Sequence, residues 1–169
     1  NNNPSDFKVL SFNNKFNKFG QENVEDYVNS FDADFVFLQE SGNYGLGGDS
    51  NFKEMKYSQH NKRVSFFSKY RIVKQDSISI INKGKSVYAD VIIKGKRIRF
   101  INVYLEPFQL HKSMVKPSSN LDVNEEKAKS LIRRFIPVFK THQVQIEILK
   151  NFIKKSPYPV ILAGDFNSV

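Results

Sequence analysis

The sequence has no cysteine, no tryptophan, two methionines and three histidines. The missing cysteines exclude a disulfide framework and a thiolate metal site, and leave the cellular compartment open. Acidic residues are scarce, 17 against 26 lysines and arginines, giving a formal net charge of +9. That balance favours polyanionic partners: nucleic acid, phosphoinositides or a membrane surface. The lysines are spread along the chain instead of forming one block, which equally fits a generally basic, solvated surface. Apolar runs fall far short of the about 18 residues that a spanning helix needs, and no signal peptide is visible. The chain opens abruptly on Asn1-Asn2-Asn3-Pro4, which leaves room for an upstream targeting or anchoring segment.

What is present is a large aromatic complement, 16 Phe and 7 Tyr in 169 residues, enough to build a sizeable core. The length fits one domain, residues 1–169. Residues 7–12 (FKVLSF) alternate as a strand. Val24, Tyr27, Val28 and Phe31 recur at the spacing of one helix face. The apolar run at 35–38 reads as a strand buried on both sides. This strand–helix–strand opening marks an α/β (α+β) protein.

Strand-like segments follow at 63–68, 72–81, 87–93 and 98–105, and the last two flank a Lys94-Gly95-Lys96 turn, so the middle of the chain reads as an antiparallel meander. Residues 42–51 and 107–124 read as exposed loops, the second lying over an active-site face. A helix is expected from Asn124, broken or kinked at Pro137, with a second helix running to about Lys155. Residues 160–163 then form another buried strand.

Polar residues at the ends of core strands are where chemistry concentrates. Asn13 follows the first strand, Glu40 the second, and Asp165 with Asn167 the last. If these strands lie side by side, two amides and two carboxylates meet, with Asp165 and Asn167 pointing to one side of extended backbone. Such an oxygen-rich set suits a hard cation such as Mg²⁺, which would polarise a phosphoryl oxygen. Taken singly, each residue has an ordinary structural role. Asn13 fits a turn, Glu40 an exposed charge, Asp165 a turn former and Asn167 a helix cap. Their coincidence at three apolar strand ends outweighs those roles.

The segments Val9-Leu-Ser-Phe-Asn13, Phe37-Leu-Gln-Glu40, Asn102-Val-Tyr-Leu105 and Leu162-Ala-Gly-Asp-Phe-Asn167 resemble, in order and spacing, successive motifs of the endonuclease/exonuclease/phosphatase family. That resemblance implies a DNase I-like four-layer α/β/β/α sandwich and a Mg²⁺- or Mn²⁺-dependent phosphoesterase. It implies a metal site at Glu40 and Asn13, catalytic roles for Asp165, Asn167 and Tyr104, and phosphate contacts from Asn13, Asn167 and Tyr104. Residues 124–155 with the following Ser-Pro-Tyr-Pro resemble a Bacteroidetes-like branch, some of whose members carry N-terminal membrane segments. A cell-envelope or extracytoplasmic location is the expectation from that likeness.

Family domains run to roughly 250 residues and carry a later Ser-Asp-His motif, in keeping with the size of a two-sheet domain. None of His60, His111 or His142 sits in a matching context, and His142 reads as a surface residue of the predicted helix. The chain is therefore expected to be a C-terminally truncated portion, lacking the last strands and holding only part of the site. Three functions fit. The parent protein hydrolyses nucleic acid, phospholipid or sugar-phosphate esters; or a second, C-terminal chain completes the site; or the domain is a catalytically incomplete basic module that binds nucleic acid or anionic lipid.

Overall fold

The computed structural model describes residues 7–42, 52–82, 84–108 and 116–167. Nearly all of the expected 42–51 loop and residues 109–115 of the second loop, with His111 and Lys112, lie outside them. In chain order the elements are β1 (Val9–Asn13), α1 (Gln21–Ser30), β2 (Phe35–Gln39), β3 (Tyr57–Gln59), β4 (Val64–Ser68), β5 (Ile72–Ile78), β6 (Lys85–Ile93), β7 (Lys96–Tyr104), α2 (Leu121–Lys154) and β8 (Val160–Asp165). They build two four-stranded sheets, ordered β1-β2-β4-β3 and β5-β6-β7-β8.

Strand alternation dictates the layering, because successive side chains leave a strand on opposite faces. Phe35 and Phe37 of β2 point into the space between the sheets, where they meet Phe66, Ala89, Val91 and Phe100. The rings of Phe35 and Phe100 stack with centroids 4.2 Å apart. Val36 and Leu38 point the other way, onto Val24 and Val28 of α1. In the second sheet Ile101 and Val103 face outward onto Leu149 of α2. The result is the expected four layers, helix, sheet, sheet, helix.

Three expectations change. The meander is divided: residues 63–68 leave it to pair antiparallel with β2 and β3, and only β5, β6 and β7 run as a meander. Every residue of β4 is buried, which requires neighbours on both sides and packing on both faces. The expected buried strand at 160–163 is β8, paired with β7 alone among the described residues, with Leu162 exposed. The two expected helices are one, the 34-residue α2. The side-chain oxygen of Asn120 caps it by accepting from the Asp122 and Val123 amides. Pro137 lies on its exposed side, where water can serve the carbonyl left without a donor. No helix among the described residues is long and apolar enough to cross a membrane.

Under the C-terminal half of α2, the fully buried Asp90 of β6 pairs with its cross-strand neighbour Arg99 at 2.7 Å and with Arg97 at 2.9 Å. The Arg99 guanidinium lies over the Tyr88 ring at 4.6 Å and the Phe152 ring at 5.2 Å, tying the helix to the sheet. Burial pushes the Asp90 pKa up, but the hydrogen bonds and charges of Arg99 and Arg97 outweigh it and hold the carboxyl below its ordinary value. A depressed folded pKa contributes stability above the unfolded value that is lost as pH falls through the folded one. Asp90→Ala is therefore expected to lower unfolding free energy by about 3–5 kcal/mol near neutral pH, with a smaller deficit below pH ~4; urea titrations at several pH values measure it. Pro137→Ala is expected to raise the melting temperature, since an interior helix proline costs up to about 3 kcal/mol relative to alanine. An unchanged or lower midpoint would show that Pro137 is accommodated without loss.

Candidate active site

Two parallel strand pairs set the geometry. In the first sheet Asn13 of β1 lies in register with Gln39 of β2; in the second, Tyr104 of β7 lies in register with Asp165 of β8. The carboxyl ends of four strands therefore meet at one end of the sandwich, two from each sheet. The expectation of strands side by side in one sheet holds for β1 and β2, while β8 belongs to the other sheet.

A buried amide pair joins the sheets there. Gln39 Nε2 donates to Asn102 Oδ1 at 2.8 Å, and Asn102 Nδ2 donates to the carbonyls of Leu38 at 3.0 Å and Ser65 at 2.9 Å. One residue past Gln39 is Glu40, and two past Asn102 is Tyr104. The Tyr104 hydroxyl donates to Glu40 Oε1 at 2.9 Å. Asn13 Nδ2 donates to Asp165 Oδ2 at 2.8 Å, so an amide of one sheet holds the carboxylate of the other. Asp165 Oδ1 accepts the Asn167 backbone N–H at 2.9 Å, and Asn167 Nδ2 donates to the Leu105 carbonyl at 2.9 Å.

One expectation about side-chain direction is corrected by this arrangement. Asn167 has φ +45° and follows the end of β8, so it does not continue an extended strand beside Asp165. Instead the pair forms an Asx turn that holds Asp165 Oδ1, while Asn13 holds Oδ2. Tyr104 is almost fully buried, and its hydroxyl donates its one proton to Glu40, so in this arrangement the phenol orients the Glu40 carboxylate. Burial first, then the hydrogen bond and negative charge of Glu40, push its pKa up to about 12, with Arg63 opposing them.

Close backbone approach is part of the construction. Gly164 has φ +144°, and a Cβ there would stand 2.1 Å from the Val103 carbonyl oxygen, so only glycine lets β8 deliver Asp165 beside Tyr104. Gly42 has φ +64°, and a Cβ there would stand 3.3 Å from the Phe16 backbone. The turn after β2 thus presses against the turn after β1.

The site presents oxygen donors of the kind a hard divalent cation takes. Among the described residues no group of three or more His, Asp or Glu side chains gathers to cage an ion. Magnesium-type sites use one or two carboxylates and complete the shell with water and substrate phosphate. Glu40, with one carboxylate oxygen held by Tyr104, fits that pattern, and the Asn13 oxygen, which accepts the Lys15 amide at 2.9 Å, retains a second lone pair.

The histidines stand outside this network. His142 is buried, not a surface residue: its Nε2 donates to the Glu106 carbonyl at 2.6 Å and its ring packs edge-on against Phe108. A helical period alone could not report that docking. His60 bonds Ser58 at 2.8 Å, and burial pushes its pKa down. Sequence reasoning missed Gln39 and Asn102 as the inter-sheet join and Arg63 as a cation beside Tyr104. The signal for Gln39 and Asn102 was an amide within an otherwise apolar strand, and Arg63, just ahead of β4, gave none.

Spectrophotometric titration of the tyrosines is expected to leave one phenol protonated until about pH 12 and to bring it back toward its ordinary value in Glu40→Gln. Because the folded pKa is raised, its contribution to stability is present below pH ~10 and is lost as pH climbs toward 12. A Tyr104→Phe protein with the same late-titrating phenol would assign it elsewhere.

In sequence, no curated protein matches the chain. Solved structures do match in shape. TDP2 from D. rerio, complexed with single-strand DNA product, is 15% identical at a TM-score of 0.66 over 96% of this chain and 61% of that one. Sphingomyelinase C from Streptomyces griseocarneus is 17% identical at 0.65, over 96% and 64%. A β-hairpin deletion mutant of beta toxin from Staphylococcus aureus is 17% identical at 0.64, over 97% and 68%. These likenesses show the DNase I-like fold, and the chain spans between 61% and 68% of the three structures' lengths. They lend no support to the Bacteroidetes-like branch. The sequence profile described as the Endonuclease/Exonuclease/phosphatase family matches residues 9–169, from β1 through the Asp165 turn, and the chain belongs to that family.

Proposed function

We propose that this chain carries the metal- and phosphate-binding residues of a divalent-cation-dependent phosphoesterase acting on nucleic-acid, phospholipid or sugar-phosphate esters. The observation that carries the reading is the pair of inter-element hydrogen bonds, Asn13 to Asp165 and Tyr104 to Glu40, which hold two carboxylates at one end of the sandwich in fixed orientations. Pre-oriented acids are what hydrolysis of a phosphate ester uses.

Glu40 and Asn13 would hold the cation, Mg²⁺ or Mn²⁺. When bound, that ion neutralises phosphoryl oxygens and lowers the barrier to attack. Tyr104 orients the Glu40 carboxylate through its 2.9 Å hydrogen bond, and a phenol stays a donor throughout the physiological range. Asp165, pinned by Asn13 on one oxygen and by the Asn167 amide on the other, is placed to orient a water and accept its proton. Asn167 retains one side-chain N–H beyond its bond to Leu105 for a phosphate oxygen.

Hydrolysis of bis(p-nitrophenyl) phosphate and p-nitrophenyl phosphate, with Mg²⁺ or Mn²⁺ and with chelator, tests the reading. Asp165→Asn and Glu40→Gln are each expected to reduce kcat/KM by about 10²–10⁴ with the fold intact by circular dichroism. Turnover insensitive to chelator and to Glu40→Gln would remove the proposal.

A further inference from the structure

Beside the Glu40–Tyr104 pair, the turn after β1 adopts a backbone that its sequence does not favour. Lys15, Phe16 and Asn17 have φ of +47°, +55° and +64°, three successive non-glycine residues in the left-handed region. Side chains disfavour this region, and strain of this kind persists only where neighbouring structure imposes it. Here it is imposed from two directions. The Phe16 amide donates to the Glu40 carbonyl at 2.7 Å, and the Asn14 amide to the Gln39 carbonyl at 2.8 Å. Gly42 then packs on the Phe16 backbone, and its own amide donates to the Lys62 carbonyl at 2.9 Å.

The same short turn at 40–42 therefore holds Phe16 on one side and Arg63 on the other. The Arg63 guanidinium carbon lies 5.8 Å from the Phe16 ring centroid and 5.8 Å from that of Tyr104. Among the described residues Arg63 makes no ion pair, whereas Arg97, Arg99 and Lys69 all do. Phe16 leaves half of its surface, 52%, to solvent. Lys15, Lys18 and Lys62 are exposed in the same two segments, and residues 14–20 contain no acid.

A planar cation set between two rings and lacking a carboxylate is equipped to take a phosphate through paired N–H donors. An exposed ring next to it offers a flat apolar face. A nucleotide presents both complements at once, a phosphate and a stackable base. An inositol or choline headgroup has no such ring, and the quaternary ammonium of choline would meet the Arg63 charge. We propose that Phe16 and Arg63 form a recognition platform for single-stranded nucleic acid beside the reaction centre, Phe16 stacking a base and Arg63 binding the adjoining phosphate. The base must be single-stranded because, within a duplex, its faces are already stacked. The proposal rests on the phosphoesterase reading only for placing a scissile phosphate near Glu40.

Fluorescence anisotropy tests it with a labelled short oligothymidylate and the same strand made of abasic residues, both in chelator so that no turnover is needed. The protein is expected to prefer the thymidylate by roughly five- to a hundredfold, the range for one stacked base. Phe16→Ala should abolish that preference and Phe16→Tyr should keep it. Arg63→Ala should weaken both strands and reduce the salt slope by about one. An unchanged preference in Phe16→Ala, or unchanged affinity in Arg63→Ala, with melting temperatures equal to the parent, would overturn the platform. So would equal affinity for duplex, or binding to phosphatidylserine vesicles in place of oligothymidylate with loss in Phe16→Ala. If the expected preference appears but neither nitrophenyl ester is hydrolysed, the platform stands and the phosphoesterase reading falls.

Discussion

The hydrogen bond from Gln39 to Asn102 crosses the interior between two sheets that otherwise meet through phenylalanine and aliphatic side chains, and both residues are almost wholly buried. Sheets packed through apolar faces can slide, because dispersion and hydrophobic burial are only weakly directional. A buried amide pair cannot slide. Leaving either group without its partner costs about 1–3 kcal/mol, and the second amide hydrogen bonds of Asn102 to Leu38 and Ser65 add to the penalty. This pair fixes the register of β2 and β4 against β7 at the end where the polar residues emerge.

Everything at the site is measured from that join. Glu40 leaves β2 one residue after Gln39, and Tyr104 lies on the same buried face of β7 two residues after Asn102, so their 2.9 Å contact follows from a fixed inter-sheet offset. On the other side Gly164 lets β8 approach Val103 more closely than any side chain permits, which carries Asp165 to the Asn13 amide. The carboxylates are held by short segments leaving rigid strands instead of by long loops. That is the preorganisation the proposed phosphate-ester chemistry needs, because fixed dipoles require no reorganisation during reaction. The strain stored at Lys15–Asn17 and the positive φ at Glu40 and Asn167 belong to the same economy of short connections.

Much of this was legible in one dimension. The unbroken apolar run Phe35-Val-Phe-Leu identified a strand buried on both faces, and the outcome places those side chains alternately between the sheets and under α1. The Lys94-Gly95 turn was equally readable, since a two-residue hairpin between Ile93 and Lys96 uses positive φ at both positions. Polar residues at strand ends pointed to Asn13, Glu40, Asp165 and Asn167, and the family resemblance added Tyr104. What misled was local chemistry read without its tertiary setting. Pro137 breaks helices in isolation, yet on an exposed side of α2 the lost hydrogen bond is tolerable, and docking of the helix through Leu149 sustains it. His142 looked like a surface residue until Phe108 and the Glu106 carbonyl covered it.

The sequence by itself determined the two periodicities, the turns and the order of the family motifs, because each depends on residues a few positions apart and on rules that act locally. It also determined the oxygen-rich, cysteine-free character of the site. Only the tertiary structure decided that β4 leaves the meander for the first sheet, that Tyr104 commits its proton to Glu40, and that Arg63 stands between Phe16 and Tyr104 without a carboxylate. Those outcomes depend on which faces meet across the interior and on distances between residues up to 152 positions apart, as for Asn13 and Asp165. No local rule encodes such distances, since they are set by packing of the whole sandwich.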